Sequence, residues 1–111
     1  MVQSPSSDVL RGTLDLLILK TLALGPMHGW GISERIQQLS RDALRIGQGS
    51  LYPALQRLEN NAWVESEWRA TAENRRAKYY SLTPAGKRAL KEETDSWRRY
   101  VGTVELILGT R

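Results

Sequence analysis

Residues 47–68, GQGSLYPALQRLENNAWVESEW, constrain the fold more than any other segment, because a short helix there runs almost directly into a strand. Leu51, Leu55 and Leu58 recur at helical spacing, so one side of a helix over about residues 50–61 is apolar and faces a core. The residues WVESEW that follow alternate between two faces. One of these faces carries Val64, Ser66 and Trp68.

Apolar periodicity and turn residues predict the other elements. They are helices over residues 8–24 (starting at Asp8 or Thr13) and 28–40, an extended piece over 43–46, strands over 63–68 and 78–82, and a helix over 84–108. The first helix is apolar nearly all round, which predicts deep burial of Leu14, Leu17, Ile18, Leu22 and Leu24. Thr83-Pro84 is typical of a helix start, with Thr as N-cap and Pro at the first helical position.

This order of elements predicts a mainly α fold with a small β-hairpin. Three helices followed by a two-stranded hairpin form a winged helix-turn-helix, and a long C-terminal helix is added to it. In a winged helix-turn-helix the third helix lies in the DNA major groove and the hairpin tip touches the backbone beside it.

Composition and charge exclude several other classes of protein. The chain has 111 residues, a net charge of +4, no Cys and one His, so it has no disulfide scaffold and little capacity for a zinc site. The residues contain no nucleophile–base set and no phosphate-loop pattern, and we expect neither an enzyme nor a bound metal or cofactor. The N-terminus has no signal-peptide pattern, and the most apolar run contains Asp15 and Lys20. We therefore expect a cytoplasmic protein without a membrane segment.

The outward side of the third helix carries side chains that hydrogen-bond base edges and phosphates. These candidate DNA-binding residues are Gln48, Ser50, Tyr52, Gln56 and Arg57. Ser50 and Tyr52 lie at the N-terminal end, where the helix dipole and free N–H groups favour a phosphate. The alternatives are a merely solvated helix face and, for Tyr52, local packing.

The predicted hairpin loop, RATAENRRA at residues 69–77, adds a second basic surface. Four basic side chains in and beside it, against one glutamate, give a net charge of +3. We expect Arg75, Arg76 and Lys78 to contact DNA phosphates, whereas Arg69 could pair with a neighbouring glutamate. The alternative is a solvated hairpin tip with no partner.

The last helix carries an apolar stripe that its own domain cannot cover. Its members are Leu90, Trp97, Val101, Val104 and Leu108. A helix this long reaches about 37 Å, so its distal half needs another surface, and a partner subunit is the simplest one. Packing on its own domain is the alternative. We expect a flexible N-terminus at residues 1–8, a DNA-binding domain at 9–83 and a dimerisation helix at 84–111.

Five segments together resemble the PadR-type winged-helix regulators. They are LGPMHGWGI, GSLYPALQRLE, AWVESEW, RRAKYYSLTPAGKRAL and the helix that contains Trp97. The resemblance spans about residues 9–108 and is to the subgroup with a short C-terminal helix, which includes multidrug-sensing members. It implies a homodimer that binds double-stranded DNA at a palindromic operator, usually as a repressor. It also implies that Trp97 can form an aromatic wall for a small hydrophobic effector between the subunits.

Two residues depart from the pattern of the family. Trp30 stands where Tyr is usual, and Ala62 stands where Gly often ends the third helix. Without that glycine, we expect the turn after the helix to use Asn60 or Asn61. A protein-interaction winged helix remains the alternative function: Glu65 and Glu67 favour it, whereas the arginines of the hairpin favour DNA more strongly.

Overall fold

The computed structural model describes the backbone of residues 7–111 and the side chains of residues 12–111. Its elements in chain order are α1 (Ser7–Leu22), β1 (Met27–His28), α2 (Gly29–Leu39), α3 (Gln48–Asn60), β2 (Val64–Ala70), β3 (Arg76–Leu82) and α4 (Pro84–Leu108). These elements confirm the mainly α winged-helix class. Residues 1–6 of the expected flexible N-terminus lie outside the described residues.

The core lies between α1, α2, α3 and the base of the hairpin. As predicted, Leu51, Leu55 and Leu58 are at most 1% exposed. They meet buried side chains from the other elements, which are Ile18, Leu19, Leu22, Ile32, Ile36, Val64, Tyr80 and Ala89. The predicted burial of Leu24 is wrong: the side chain is 58% exposed, because α1 ends at Leu22 and Leu24 lies in the turn beyond it.

The sheet has three antiparallel strands in the order β1-β3-β2, one more than the predicted hairpin. The additional strand is Met27–His28, which pairs with Tyr80 and Tyr79 on the free edge of β3. None of the residues of the predicted extended piece, 43–46, joins the sheet. The segment follows a turn with positive φ angles at Arg41 and Asp42.

The hairpin register confirms the predicted face of Val64, Ser66 and Trp68. Ser66 is opposite Tyr80 and Trp68 is opposite Lys78, so these side chains share the face that begins in the core at Val64. The strands extend to Ala70 and from Arg76, which leaves a turn much shorter than the predicted loop. The outer part of the hairpin therefore projects as a paired ribbon.

The turn that ends α3 differs from the expectation. Ala62 itself adopts the left-handed conformation, with φ 61°, whereas Asn61 stays in the right-handed region. Two backbone hydrogen bonds close the turn, from Ala62 N to Glu59 O (2.9 Å) and from Trp63 N to Leu58 O (3.0 Å). This is a Schellman motif, and its two bonds offset the cost of about 1–2 kcal/mol for a left-handed residue with a Cβ.

The first turn of α4 is attached to this same turn. As predicted, Thr83 caps the helix, because its Oγ1 accepts a hydrogen bond from Gly86 N at 3.0 Å. The same hydroxyl donates to the carbonyl oxygen of Ala62 at 2.6 Å. A Cβ on Gly86 would collide with the carbonyl oxygen of Trp63, so only glycine allows this approach. The direction in which α4 leaves the domain is therefore fixed by backbone contacts.

No helix in the described part of the chain is long and apolar enough to cross a membrane. Within the same residues, no group of three or more His, Asp or Glu side chains could hold a metal ion.

Candidate nucleic-acid interface

The outward face of α3 presents exposed polar side chains in its first three turns. Gln48, Ser50 and Gln56 are all exposed. Gly47 is the N-cap residue and supplies no side-chain hydrogen bond to the first turn. In the third turn, Gln56 Nε2 donates to Asn60 Oδ1 at 2.9 Å. Gln48 and Ser50 lie at a helix start whose N–H groups are suited to an anionic partner.

Tyr52 lies at the edge of this face and also packs locally. A Cβ built on Gly29 of α2 would come within 2.6 Å of the Tyr52 hydroxyl oxygen, so the ring covers that glycine directly. The side chain remains 43% exposed. Local packing therefore holds the ring in place without removing it from the surface.

Arg57 is directed toward α1, where it meets Asp15. Its Nη2 lies 2.8 Å from Asp15 Oδ1 and its Nε lies 3.5 Å from Asp15 Oδ2. Asp15 could not be recognised as this partner from the sequence, because it precedes Arg57 by 42 residues and lies within an apolar run. Gln48, Ser50, Tyr52 and Gln56 thus stay exposed, whereas Arg57 has a protein partner.

The inner face of the hairpin carries basic side chains beside α3. This face is the one with Val64, Ser66, Trp68, Arg76, Lys78 and Tyr80. Lys78 Nζ is 3.8 Å from Glu59 Oε1 at the end of α3, so part of the Lys78 charge is offset. Arg76 is exposed, and its guanidinium carbon lies 5.7 Å from the centre of the Trp68 ring. Arg75 is exposed in the turn. Among the described residues, Arg75 and Arg76 have no carboxylate partner, which leaves their charges available.

On the outer face of the hairpin, Glu67, Arg69 and Tyr79 contact one another. Arg69 Nη2 is 3.2 Å from Glu67 Oε1, and the Arg69 guanidinium lies 4.9 Å from the centre of the Tyr79 ring. The His28 and Tyr79 rings meet edge to face, with their centres 5.3 Å apart. The Nδ1 atom of His28 accepts a hydrogen bond from Gly31 N. His28 is therefore the N-cap residue of α2.

Glu59 joins α3 to the hairpin and was also missed from the sequence. Ser66 Oγ donates to Glu59 Oε2 at 2.7 Å, and Lys78 approaches the other oxygen. Burial raises the pKa of Tyr80, and the negative charge of Glu59 and the neighbouring Tyr52 raise it further. The inner face of the hairpin is thereby held against α3 by hydrogen bonds and charge as well as by the core.

The apolar stripe of α4 packs against the domain near the start of the helix and is exposed to solvent near its end. Leu90, Val101 and Val104 are partly buried, whereas Trp97 is 44% and Leu108 is 71% exposed. Trp97 stands between two grooves of about 290 and 280 Å³ that separate α4 from α1, and Leu16 lines both. The first groove adds Glu93 and Tyr100 to its walls.

Comparison with known proteins identifies the family. The model of the transcriptional regulator PadR-like family matches residues 18–92. The transcriptional regulator Rv3488 of Mycobacterium tuberculosis is 39% identical over 83 residues, which is 75% of this chain and 74% of that protein. A transcriptional regulator from Clostridium thermocellum superposes with a TM-score of 0.80 at 31% identity, over 89% of this chain and 96% of that chain. A PadR family transcriptional regulator from Eggerthella lenta superposes with a TM-score of 0.77 at 33% identity, over 96% of this chain and 93% of that chain. The chain therefore belongs to the PadR-like family of transcriptional regulators, and it is a DNA-binding regulator rather than an enzyme.

Proposed function

We propose that this protein is a homodimeric, sequence-specific repressor that binds a palindromic operator in the cytoplasm. In this proposal residues 9–83 bind DNA and residues 84–111 form the dimerisation helix. The observation that carries the proposal is that the exposed polar face of α3 lies beside a hairpin whose end carries two arginines with no carboxylate partner among the described residues.

The two surfaces suit the two components of DNA binding. Gln48, Ser50 and Gln56 on α3 offer hydrogen-bond groups to base edges in a major groove. Arg75 and Arg76 offer positive charge without a carboxylate partner in the described chain, and this suits phosphates. The contact between Lys78 and Glu59 keeps the inner face of the hairpin beside the end of α3, so both surfaces can meet one duplex.

The apolar stripe of α4 supports a dimer. Exposed Trp97 and Leu108 continue a row that begins with Leu90 on the domain. Ile107 is 68% exposed and widens the row at its distal end. A second copy that covers this row around a two-fold axis would remove these side chains from water, and α1 lies close enough to contribute.

A small aromatic ligand is a further part of the proposal. Trp97 stands between two grooves, and Tyr100 lines one of them, so a planar apolar molecule could stack there. Such a ligand would release DNA only if it binds better to an arrangement of subunits that fits the operator poorly.

The competing function is a protein-interaction winged helix, for which exposed Glu65 and Glu67 are the argument. Glu67 is already paired with Arg69, whereas Glu65 has no basic partner among the described residues. The inner face and the turn, in contrast, present arginines that have no carboxylate partner in the same part of the chain. This distribution of charge favours DNA over a basic protein as the partner.

The salt dependence of duplex binding tests the proposal. The full-length protein is titrated with a fluorescent duplex at several salt concentrations between about 50 and 200 mM. Each phosphate contact contributes about 0.9 to the log–log slope, so two arginines per subunit in a dimer predict a slope of about −3.6 or steeper. A slope near zero would favour the protein-interaction module.

A further inference from the structure

The ion pair between Arg57 and Asp15 joins α3 to α1 across 42 residues of sequence. Two guanidinium nitrogens face two carboxylate oxygens, at 2.8 and 3.5 Å. The side chains are only 32% and 20% exposed, so solvent screens the pair less than a surface ion pair. A contact through two nitrogens fixes orientation as well as distance.

We infer that Arg57 is a positioning residue rather than a DNA ligand. With Asp15 it fixes the orientation of α3 on α1 and thereby sets where the α3 side chains meet the operator. This inference rests on the proposed function, because it needs a DNA-binding dimer to have an effect. It changes the role of Arg57, which its residue type and outward position alone would assign to DNA.

The position of Asp15 on α1 explains why this contact matters. Ile18, Leu19 and Leu22 follow Asp15 at helical spacing and are buried in the core, so this face of α1 meets the DNA-binding domain. Leu16 and Lys20 lie on another face and line the groove against α4. One helix therefore contacts both α3 and the helix that we assign to the dimer.

In a dimer, this connection sets the distance between the two copies of α3. Two recognition helices must enter major grooves about one helical turn apart, at about 34 Å, so each must be held firmly relative to the dimer contact. The close-packed apolar core holds α3 against α1. The ion pair between Arg57 and Asp15 adds a contact of defined direction, which hydrophobic attraction by itself does not supply.

The test measures how strictly the dimer reads half-site spacing. The duplexes carry the half-site spacing that wild type prefers when random duplexes are enriched on it, or that spacing with one base pair added or removed. Each duplex is titrated with full-length wild type, Asp15→Asn, Arg57→Gln and the double variant. We expect each variant to lose about fivefold or more in discrimination between correct and altered spacing, similar to the loss of one base contact. The double variant should lose no more than either single variant, because all three break the same contact. The salt slope should not change.

Two further variants keep the test decisive. Asp15→Glu retains the carboxylate and should retain most of the discrimination. Arg57→Lys retains the charge but cannot make the two-nitrogen contact, so it should lose as much spacing discrimination as Arg57→Gln. It replaces Arg57→Gln in the test if that variant folds poorly. A salt slope that falls with Arg57→Gln would make Arg57 a phosphate ligand and overturn the inference. Unchanged discrimination in folded variants would overturn it as well. If wild type selects no duplex at all, the proposed function itself fails.

Discussion

The phenol ring of Tyr52 on α3 occupies the space that a side chain on Gly29 of α2 would need. A Cβ at Gly29 would lie 2.6 Å from the Tyr52 hydroxyl oxygen and 2.9 Å from two ring carbons. Gly29 is buried at the first position of α2, directly after the helix cap His28. The pair thus sets how closely the starts of α2 and α3 approach each other, beside the face that we propose for DNA.

The first prediction concerns this pair. Gly29→Ala should lower the free energy of unfolding by about 1–3 kcal/mol, as overpacking usually does, because the ring must move. In a Tyr52→Ala background the obstacle is gone, and Gly29→Ala should be neutral or stabilising, since Ala favours helices over Gly. Urea unfolding of the four proteins measures both effects. An equal loss in both backgrounds would show that Tyr52 is not what excludes a side chain.

The second prediction compares two arginines on opposite faces of the hairpin. Arg76→Ala should weaken binding to all duplexes about equally and reduce the salt slope by about two in a dimer, one for each lost phosphate contact. Arg69→Ala is the matched control, because Arg69 is already paired with Glu67 and lies on the outer face. Its salt slope should equal that of wild type. A changed sequence preference with an unchanged slope in Arg76→Ala would contradict the phosphate assignment.

The third prediction concerns assembly. A chain cut after Glu92 keeps the first turns of α4, which include buried Gly86 and Ala89, but loses Trp97 and the distal stripe. Sedimentation should find it monomeric, whereas the full chain should be a dimer. A truncated chain that remained dimeric would mean that α4 does not hold the subunits together.

The fourth prediction concerns Trp97. If a planar aromatic cation binds in the grooves between α1 and α4, adding it should release operator DNA from wild type. Trp97→Ala should release DNA only at much higher concentration, because stacking on the ring is lost; aromatic pairs contribute about 0.5–1.5 kcal/mol beyond area burial. Operator binding followed during the titration measures this. Equally ready release by both proteins would make Trp97 a packing residue only.

Local patterns were enough to predict most of the fold. Leu51, Leu55 and Leu58 form the buried side of α3 because their spacing matches the helical period, and that period needs no tertiary context. Thr83 caps α4 because a hydroxyl three residues before Gly86 N reaches it in any helix start. The polar outward face of α3 follows from the same spacing.

Other features depend on contacts that no local pattern contains. Met27–His28 is a strand only because the edge of β3 comes beside it, more than 50 residues later in the chain. Ala62 adopts a left-handed conformation that its residue type disfavours, and its carbonyl oxygen accepts a hydrogen bond from Thr83, which lies 21 residues later. Arg57 turns to Asp15, a partner on another helix.

The central claim is sequence-specific binding of DNA by a symmetric dimer. Its most direct test is to enrich random duplexes on the purified full-length protein and to sequence the retained pool. We predict a palindromic consensus whose half-site centres lie about one helical turn apart. A pool without any consensus would contradict sequence-specific recognition, and a consensus without two-fold symmetry would contradict the dimer.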